Sequence, residues 1–287
     1  MQCPALQFMI RGVIVVVTAV VTAAPSMRAQ MVNTTGQQAT PLNSGVDSLQ
    51  TELHSLTDIQ RQGGGIDQKE IADYKKFYNQ NAEPAKKIQL GKAFLQKYPK
   101  SQLAEAVDAG MVSAYVASED WPDLYITADS ALSLKPDDID VLTTVGWVIP
   151  HEYRPDDPDA DALPGKAETY EKHALDVMNT MPKPSTLTDA QFAALKGQKS
   201  LQAHSALGLV YFRRSDYAAS SKELLEATKN NPNADQTDLY VLGIDQQNLK
   251  QYGEAADTYN RCAQISGGLA EQCKQGADTA KRLAAIK

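Results

Sequence analysis

The chain has 287 residues, of which 43% are hydrophobic, and a formal net charge of -7 at pH 7. This length and composition are typical of a globular protein with one or two domains, and the 14 prolines and 17 glycines are too few for a low-complexity chain. The acidic balance disfavours nucleic acid and anionic membrane surfaces as general partners.

Residues 1–29 have the composition of a secretory signal peptide. Arg11 precedes an uncharged run of 12 residues, 13–24, which is followed by small residues. Such a run suits the apolar part of a signal and is too short to span a bilayer comfortably. The sequence predicts export to the periplasm or the medium, with cleavage after Ala29 and no integral membrane span in the mature chain. The alternative is an uncleaved N-terminal membrane anchor.

Residues 30–66 form a polar segment that ends in three successive glycines, a composition that predicts flexibility. Within it, apolar residues recur at spacings of three and four: Val46, Leu49, Leu53, Leu56 and Ile59. This pattern predicts one short amphipathic helix. It spans about two heptads, fewer than a self-association seam requires, so a transient helix in a linker is the favoured interpretation.

From Asp67 onward the patterns are helical. Pro84 opens a helix that closes at Tyr98-Pro99. Thr188, with Gln191 three residues later, predicts a capping box at the start of a long helix that runs from near Asp189 to Arg214. Helices with short connections favour antiparallel hairpins, so the predicted fold class is all-α.

The chain also repeats itself near its C-terminal end. Equivalent residues stand 35 positions apart in two successive hairpins: Leu207-Gly208 and Leu242-Gly243, Tyr217 and Tyr252, Leu224 and Tyr259, Ala227 and Cys262. A fixed period of this length is typical of helical repeat proteins.

These hairpins resemble the tetratricopeptide repeat (TPR) family, in which Leu-Gly, an aromatic residue, Ala, a large apolar residue, Ala and Pro stand at set offsets. One copy supplies Leu207, Gly208, Tyr211, Ser220, Leu224, Ala227 and Pro232, and the next supplies Leu242, Gly243, Ala255, Tyr259 and Cys262. The resemblance covers residues 67–287. It implies a right-handed α-solenoid of about four to five hairpins, closed by a capping helix at 269–286.

The resemblance further implies a binding surface on the concave side, which is lined by the first helix of each hairpin. Aromatic and arginine side chains carry much of the energy of protein interfaces. The residues expected on this surface are Trp147, Phe212, Arg213, Tyr240, Gln247 and Asn248. Leu209 and Ile244 also fall there, with packing between repeats as their favoured role.

One repeat carries an insertion near residues 150–164. Gly146 and Ala167 are 21 positions apart, whereas Gly208 and Ser220 are 12 apart, so about nine extra residues separate the predicted helices 138–150 and 166–182. The extra residues widen the turn of that hairpin.

Four acidic residues of this region have the spacing of a calcium loop: Asp157, Asp159, Asp161 and Glu168. However, Ala162 occupies the sixth position, where the sharp turn of such a loop needs glycine, and the neighbouring prolines stiffen the chain. A solvated acidic turn is therefore the favoured interpretation, and no metal or cofactor is predicted. A calcium-dependent binding module is the alternative.

Neither an enzyme nor a zinc site is predicted. The four histidines, His54, His151, His173 and His204, lack ligand spacing, and no serine elbow or glycine-rich phosphate loop occurs.

Cys262 and Cys273 fall on helices that touch in such repeats. A disulfide is predicted for an oxidising compartment, with two buried thiols as the alternative.

The function predicted is a non-enzymatic scaffold or adaptor that binds a protein or peptide in the cell envelope. The stretch "FLQKYPKSQLAEAV" is similar to the repeats of periplasmic outer-membrane-assembly lipoproteins, which implies the same compartment. The alternative role is an accessory subunit of an envelope assembly or export complex.

Overall fold

The computed structural model describes residues 66–152, 154, 160–185 and 187–286, and these residues form eleven α-helices and no strand. The predicted all-α class is confirmed. The helices are α1 (Gln68–Tyr78), α2 (Pro84–Lys97), α3 (Ala104–Ser118), α4 (Trp121–Leu134), α5 (Ile139–Glu152), α6 (Leu163–Thr180), α7 (Asp189–Arg213), α8 (Tyr217–Thr228), α9 (Gln236–Asn248), α10 (Tyr252–Gln264) and α11 (Ala270–Ala285). The predicted signal peptide and almost all of the flexible segment lie outside the described residues.

Local sequence signals fix several helix ends. Pro84 starts α2, and the capping box predicted at Thr188 is present at the start of α7, where Gln191 completes it. The two ends that border the insertion differ from the prediction: α5 continues through Pro150 to Glu152, and α6 begins at Leu163. Pro164 explains the second difference, because proline is favoured in the first turn of a helix.

Each helix packs against the next one along the chain, and each odd-numbered helix also contacts the following odd-numbered helix. Successive even-numbered helices make weaker contacts or none. The odd-numbered helices therefore lie side by side, with the even-numbered helices packed behind them.

Three hairpins share one turn geometry. After α3, α7 and α9 comes a non-glycine residue with positive φ, namely Glu119 (55°), Ser215 (61°) and Lys250 (62°). The next amide donates to a carbonyl five residues earlier, as Asp216 does to Tyr211 at 3.0 Å. This is the hydrogen bond of a Schellman C-cap. The hairpin of α5 and α6 has the long connection instead.

Glycines allow the helices of three hairpins to approach closely. A β-carbon on Gly208 would come within 2.5 Å of Leu224, and one on Gly243 within 2.6 Å of Tyr259. Leu224 and Tyr259 are buried, and each fills the space between the two helices of its hairpin. The 35-residue period of the sequence thus corresponds to a repeated contact between a glycine on one helix and a large side chain on the next.

The longest helix, α7, contacts two hairpins. Its N-terminal half packs against α5 and α6, where Leu195 and Met178 line a common small gap, and its C-terminal half packs against α8. None of the helices between residues 66 and 286 has both the length and the apolar composition that a membrane crossing requires.

Candidate protein-binding face

The residues expected on a binding surface all lie on odd-numbered helices. We call this set the odd-helix face: Trp147 on α5, Phe212 and Arg213 on α7, and Tyr240, Gln247 and Asn248 on α9. Arg213 and Asn248 are exposed, and the other four are half-buried.

The part of the face on α5 and α7 centres on Trp147. Its ring stacks on that of His151 with the centroids 3.8 Å apart, and His151 Nδ1 lies 2.7 Å from the Trp147 carbonyl oxygen. Since a carbonyl only accepts, Nδ1 carries the proton of the neutral ring. Burial lowers the pKa of His151 and keeps the ring neutral. Arg213 reaches from α7 to α5, donating from Nη2 to the Pro150 carbonyl at 2.6 Å.

The part of the face on α9 is supported by α10. The ring of Tyr240 lies 6.0 Å from that of buried Tyr259, whose hydroxyl donates to Gln247 Oε1 at 3.0 Å. Asn248 Nδ2 donates to the Ile244 carbonyl at 2.9 Å, an ordinary contact within one helix. Tyr240 and Gln247 are thus held in place by one tyrosine of the helix behind them.

Phe212 lies next to a small core cluster that contains Leu209 and Leu224, and its ring is 6.2 Å from that of Tyr217. Leu209 is only 6% exposed, which agrees with its favoured role in packing. The aromatic side chains of the odd-helix face therefore serve two purposes. One side packs on the core, and the other remains accessible.

Part of the acidic insertion lies outside the described residues, and Asp157 and Asp159 belong to that part. Asp161 is exposed. Glu168 is occupied: Oε2 accepts from Arg214 Nη1, and Oε1 accepts from Lys172 Nζ at 2.7 Å and from the Tyr211 hydroxyl at 3.1 Å.

Burial opposes ionisation of Glu168, but the hydrogen bonds from Lys172, Arg214 and Tyr211 outweigh it and lower its pKa to about 2. Among the described residues, no three acidic, histidine or cysteine side chains converge as metal ligands would. A cation at the insertion would have to draw Glu168 away from two cationic side chains.

Cys262 on α10 and Cys273 on α11 are joined by a disulfide, with their Cα atoms 5.8 Å apart. Both side chains are fully buried. Of the histidines that lie outside the odd-helix face, His204 is within 2.7 Å of Glu223 and His173 within 2.8 Å of Asp137. The first pair joins α7 to α8, and the second joins α6 to the connection between α4 and α5.

Sequence reasoning missed a buried polar group behind the face. Glu171 on α6 is 0% exposed, lies against Gly146, and accepts no hydrogen bond from any described residue. Spacing alone could have found it, because Glu171 follows Ala167 by four positions as Leu224 follows Ser220.

The pair of Lys199 and Asp140 was also missed. The two side chains are 4% and 8% exposed, and Lys199 Nζ lies 2.7 Å from Asp140 Oδ1. Nothing in the local sequence of either residue signals this contact, which joins α7 to α5.

The chain matches no known family model, and no curated protein matches it.

Proposed function

We propose that this chain is a non-enzymatic binding scaffold, a right-handed α-solenoid of tetratricopeptide-type hairpins that holds a protein or peptide on its concave side. In this proposal the odd-helix face is the binding surface. The observation that carries it is the side-by-side contact of successive odd-numbered helices, because α5, α7 and α9, which bear these aromatic side chains, then form one layer of helices.

The composition of the layer supports a protein partner. Trp147, Phe212 and Tyr240 each offer a partly exposed ring on a rigid helix, and aromatic anchors of this kind lose little side-chain entropy on binding. Arg213 adds an exposed cation next to Phe212. An open gap of about 360 Å³ lies beside Tyr98, away from these rings. Partly exposed rings on a layer of helices fit binding along a surface.

The proposal also places the protein outside the cytoplasm. The apolar run 13–24 behind Arg11 has the pattern of an export signal, and the buried Cys262–Cys273 bond is of a kind that persists in oxidising compartments. The mass of the mature protein purified from its own cell envelope tests this part: loss of residues 1–29 supports a cleaved signal, and an intact N-terminus supports an anchor.

The test of the binding face is capture of partners from intact envelope with matched variants. Phe212→Ala and Tyr240→Ala remove two rings, and Asn248→Glu changes an exposed position without touching the core. The controls are Ile126→Ala and Leu225→Ala, which remove exposed apolar side chains, 68% and 44% accessible, from even-numbered helices. Thermal unfolding of each variant checks that the fold is intact.

We expect a defined set of proteins that the two controls retain and the face variants lose. Losses of about 1–3 kcal/mol in binding free energy per ring are typical of such anchors. If the same proteins are captured by all five variants, the odd-helix face is not the binding surface.

A further inference from the structure

Two buried aspartates on α9 connect that helix to its neighbours. Asp238 and Asp245 lie two turns apart, on the same side of the helix, and are 3% and 0% exposed. Aspartate is almost never fully buried unless it is paired with a cation or a metal. The partners of these two are instead serine hydroxyls.

Asp238 faces α7. Ser205 Oγ lies 2.8 Å from Asp238 Oδ1. The other charge that acts on Asp238 is that of Asp235, the N-cap of α9, which accepts from the Thr237 amide at 2.7 Å. Asp235 already supplies the negative charge that a helix N-terminus favours, and it repels a second one. Burial and the charge of Asp235 raise the pKa of Asp238 well above its ordinary value.

Asp245 faces α8. Ser220 Oγ lies 2.5 Å from Asp245 Oδ2, and no described residue bonds to Oδ1. From α10, Tyr259 is the titratable group nearby, and its hydroxyl donates to Gln247 instead. Burial raises the pKa of Asp245 to about 7, against the opposing effect of Ser220.

Several charged side chains on the helices packed against α9 have other partners, and Arg261 on α10 donates to the Thr228 carbonyl at 2.9 Å. His204 on α7 pairs with Glu223 on α8, and Arg213 on α7 donates to the Pro150 carbonyl. Within the described residues, no hydrogen bond or ion pair links a cation to Asp238 or Asp245. A neutral carboxyl both donates to and accepts from a hydroxyl, whereas a buried carboxylate without a cation loses its hydration uncompensated.

We propose that α9 is a proton-dependent element: Asp238 and Asp245 hold it against α7 and α8 as neutral carboxylic acids, and their ionisation loosens it. Because both groups bind a proton more tightly in the folded chain than in the unfolded one, their contribution is complete below pH 3.8 and is lost as the pH rises towards and beyond about 7.

The same helix carries Tyr240, Gln247 and Asn248, so its loosening would also change the odd-helix face. The effect on the odd-helix face rests on the proposed function. The proton dependence of α9 is independent of that function, because it is measured without a partner.

Hydrogen exchange of the full chain at about pH 5.5 and about pH 8, corrected for the intrinsic exchange rate, tests the proposal. We expect the amides of α9 to lose roughly tenfold or more protection at the higher pH relative to those of α2, which has no acidic residue. In the double variant Asp238→Asn/Asp245→Asn, which cannot ionise at these positions, α9 should keep its protection. Asp257→Asn, at an exposed position of α10, should behave as the unmodified protein does.

Equal protection of α9 at both pH values, or the same loss in the double Asn variant, would overturn the proposal. Should that variant not fold, ¹³C NMR of aspartate carboxyls in the unmodified protein gives a second answer. If the assigned carboxyls of Asp238 and Asp245 remain protonated near pH 6, the proposal is supported, and if either titrates below about pH 5 it is contradicted.

Discussion

Gly146 and Glu171 lie so close together that a β-carbon on residue 146 would come within 2.5 Å of Glu171 Oε1. In the two hairpins that follow, the same approach brings Gly208 against Leu224 and Gly243 against Tyr259. A carboxyl group therefore occupies a position that otherwise belongs to a large apolar or aromatic side chain.

The variant Glu171→Gln is expected to stabilise the protein at neutral pH. Burial raises the pKa of Glu171 well above 4.5. Glu171 therefore takes up a proton when the chain folds, and the free-energy cost of this uptake grows as the pH rises. Glutamine removes that cost at nearly the same volume. Chemical unfolding should show a gain in stability near pH 7.5 that falls to little or none near pH 4. Glu226→Gln, at an exposed site, is the control. A loss of stability near pH 7.5 would mean that Glu171 is ionised and paired.

Removal of the buried cation on α7 should destabilise the protein strongly. Lys199→Met leaves Asp140 without its partner, and breaking a buried pair typically costs about 3–5 kcal/mol. The double variant Lys199→Met/Asp140→Asn should recover part of the loss. Lys196→Met removes a neighbouring cation that lies over the Phe192 ring and should cost less than about 1 kcal/mol. Equal costs at 196 and 199 would show that the buried pair contributes nothing specific.

The close approach at Gly208 predicts an effect of overpacking. Gly208→Ala places a methyl group 2.5 Å from Leu224 Cγ and should cost about 1–3 kcal/mol. Gly253→Ala is the matched control, because nothing lies within 4 Å of the new methyl group. Its expected effect is neutral or a small gain from helix propensity. Equal unfolding free energies for the two variants would contradict the packing explanation.

Reduction of the disulfide should lower the stability of the C-terminal hairpin. Cys262 and Cys273 enclose a short loop, and on the loop-entropy model the bond contributes about 2–3 kcal/mol. Intact mass establishes the oxidised state, and thermal unfolding with and without reductant measures the effect. The variant Cys262→Ala/Cys273→Ala should match the reduced protein. Its midpoint should not respond to reductant.

Calcium is expected to leave the thermal midpoint unchanged. Glu168 is held by Arg214, Lys172 and Tyr211, so a cation would have to break an existing network before it gained this ligand. Millimolar calcium added during thermal unfolding measures the effect, with magnesium as the control. A rise specific to calcium, lost in Asp161→Asn, would revive the calcium-dependent alternative.

The sequence was most informative where a local rule sets the structure. Pro84 and the Thr188 capping box locate helix starts, because their physics involves only neighbouring residues. The alternation of small and large residues at a 35-residue spacing also has a structural counterpart, the contact of Gly208 with Leu224.

The buried polar groups were not predicted. The spacing of the repeat does put Glu171 at a buried position, but Lys199 stands in a stretch of α7 whose small and polar residues suggest exposure. Whether such a side chain is buried depends on which helix packs over it, and this is a long-range property. On the candidate face, spacing identified the helices that carry Trp147 and Tyr240. It did not show that one side of each aromatic ring packs on the core.

The length of α7 affects how the chain can be divided. The connection between α6 and α7 contains Pro182 and Pro184, a composition typical of a loop. Yet the first half of α7 covers Ile139 and Met178 of the preceding hairpin, and its second half belongs to the hairpin with α8. A fragment that ends at residue 188 would lack the helix that covers Ile139 and Met178. A fragment that begins there would expose the packing surface of the first half of α7 to water. The two sides of this connection therefore pack as one structural unit.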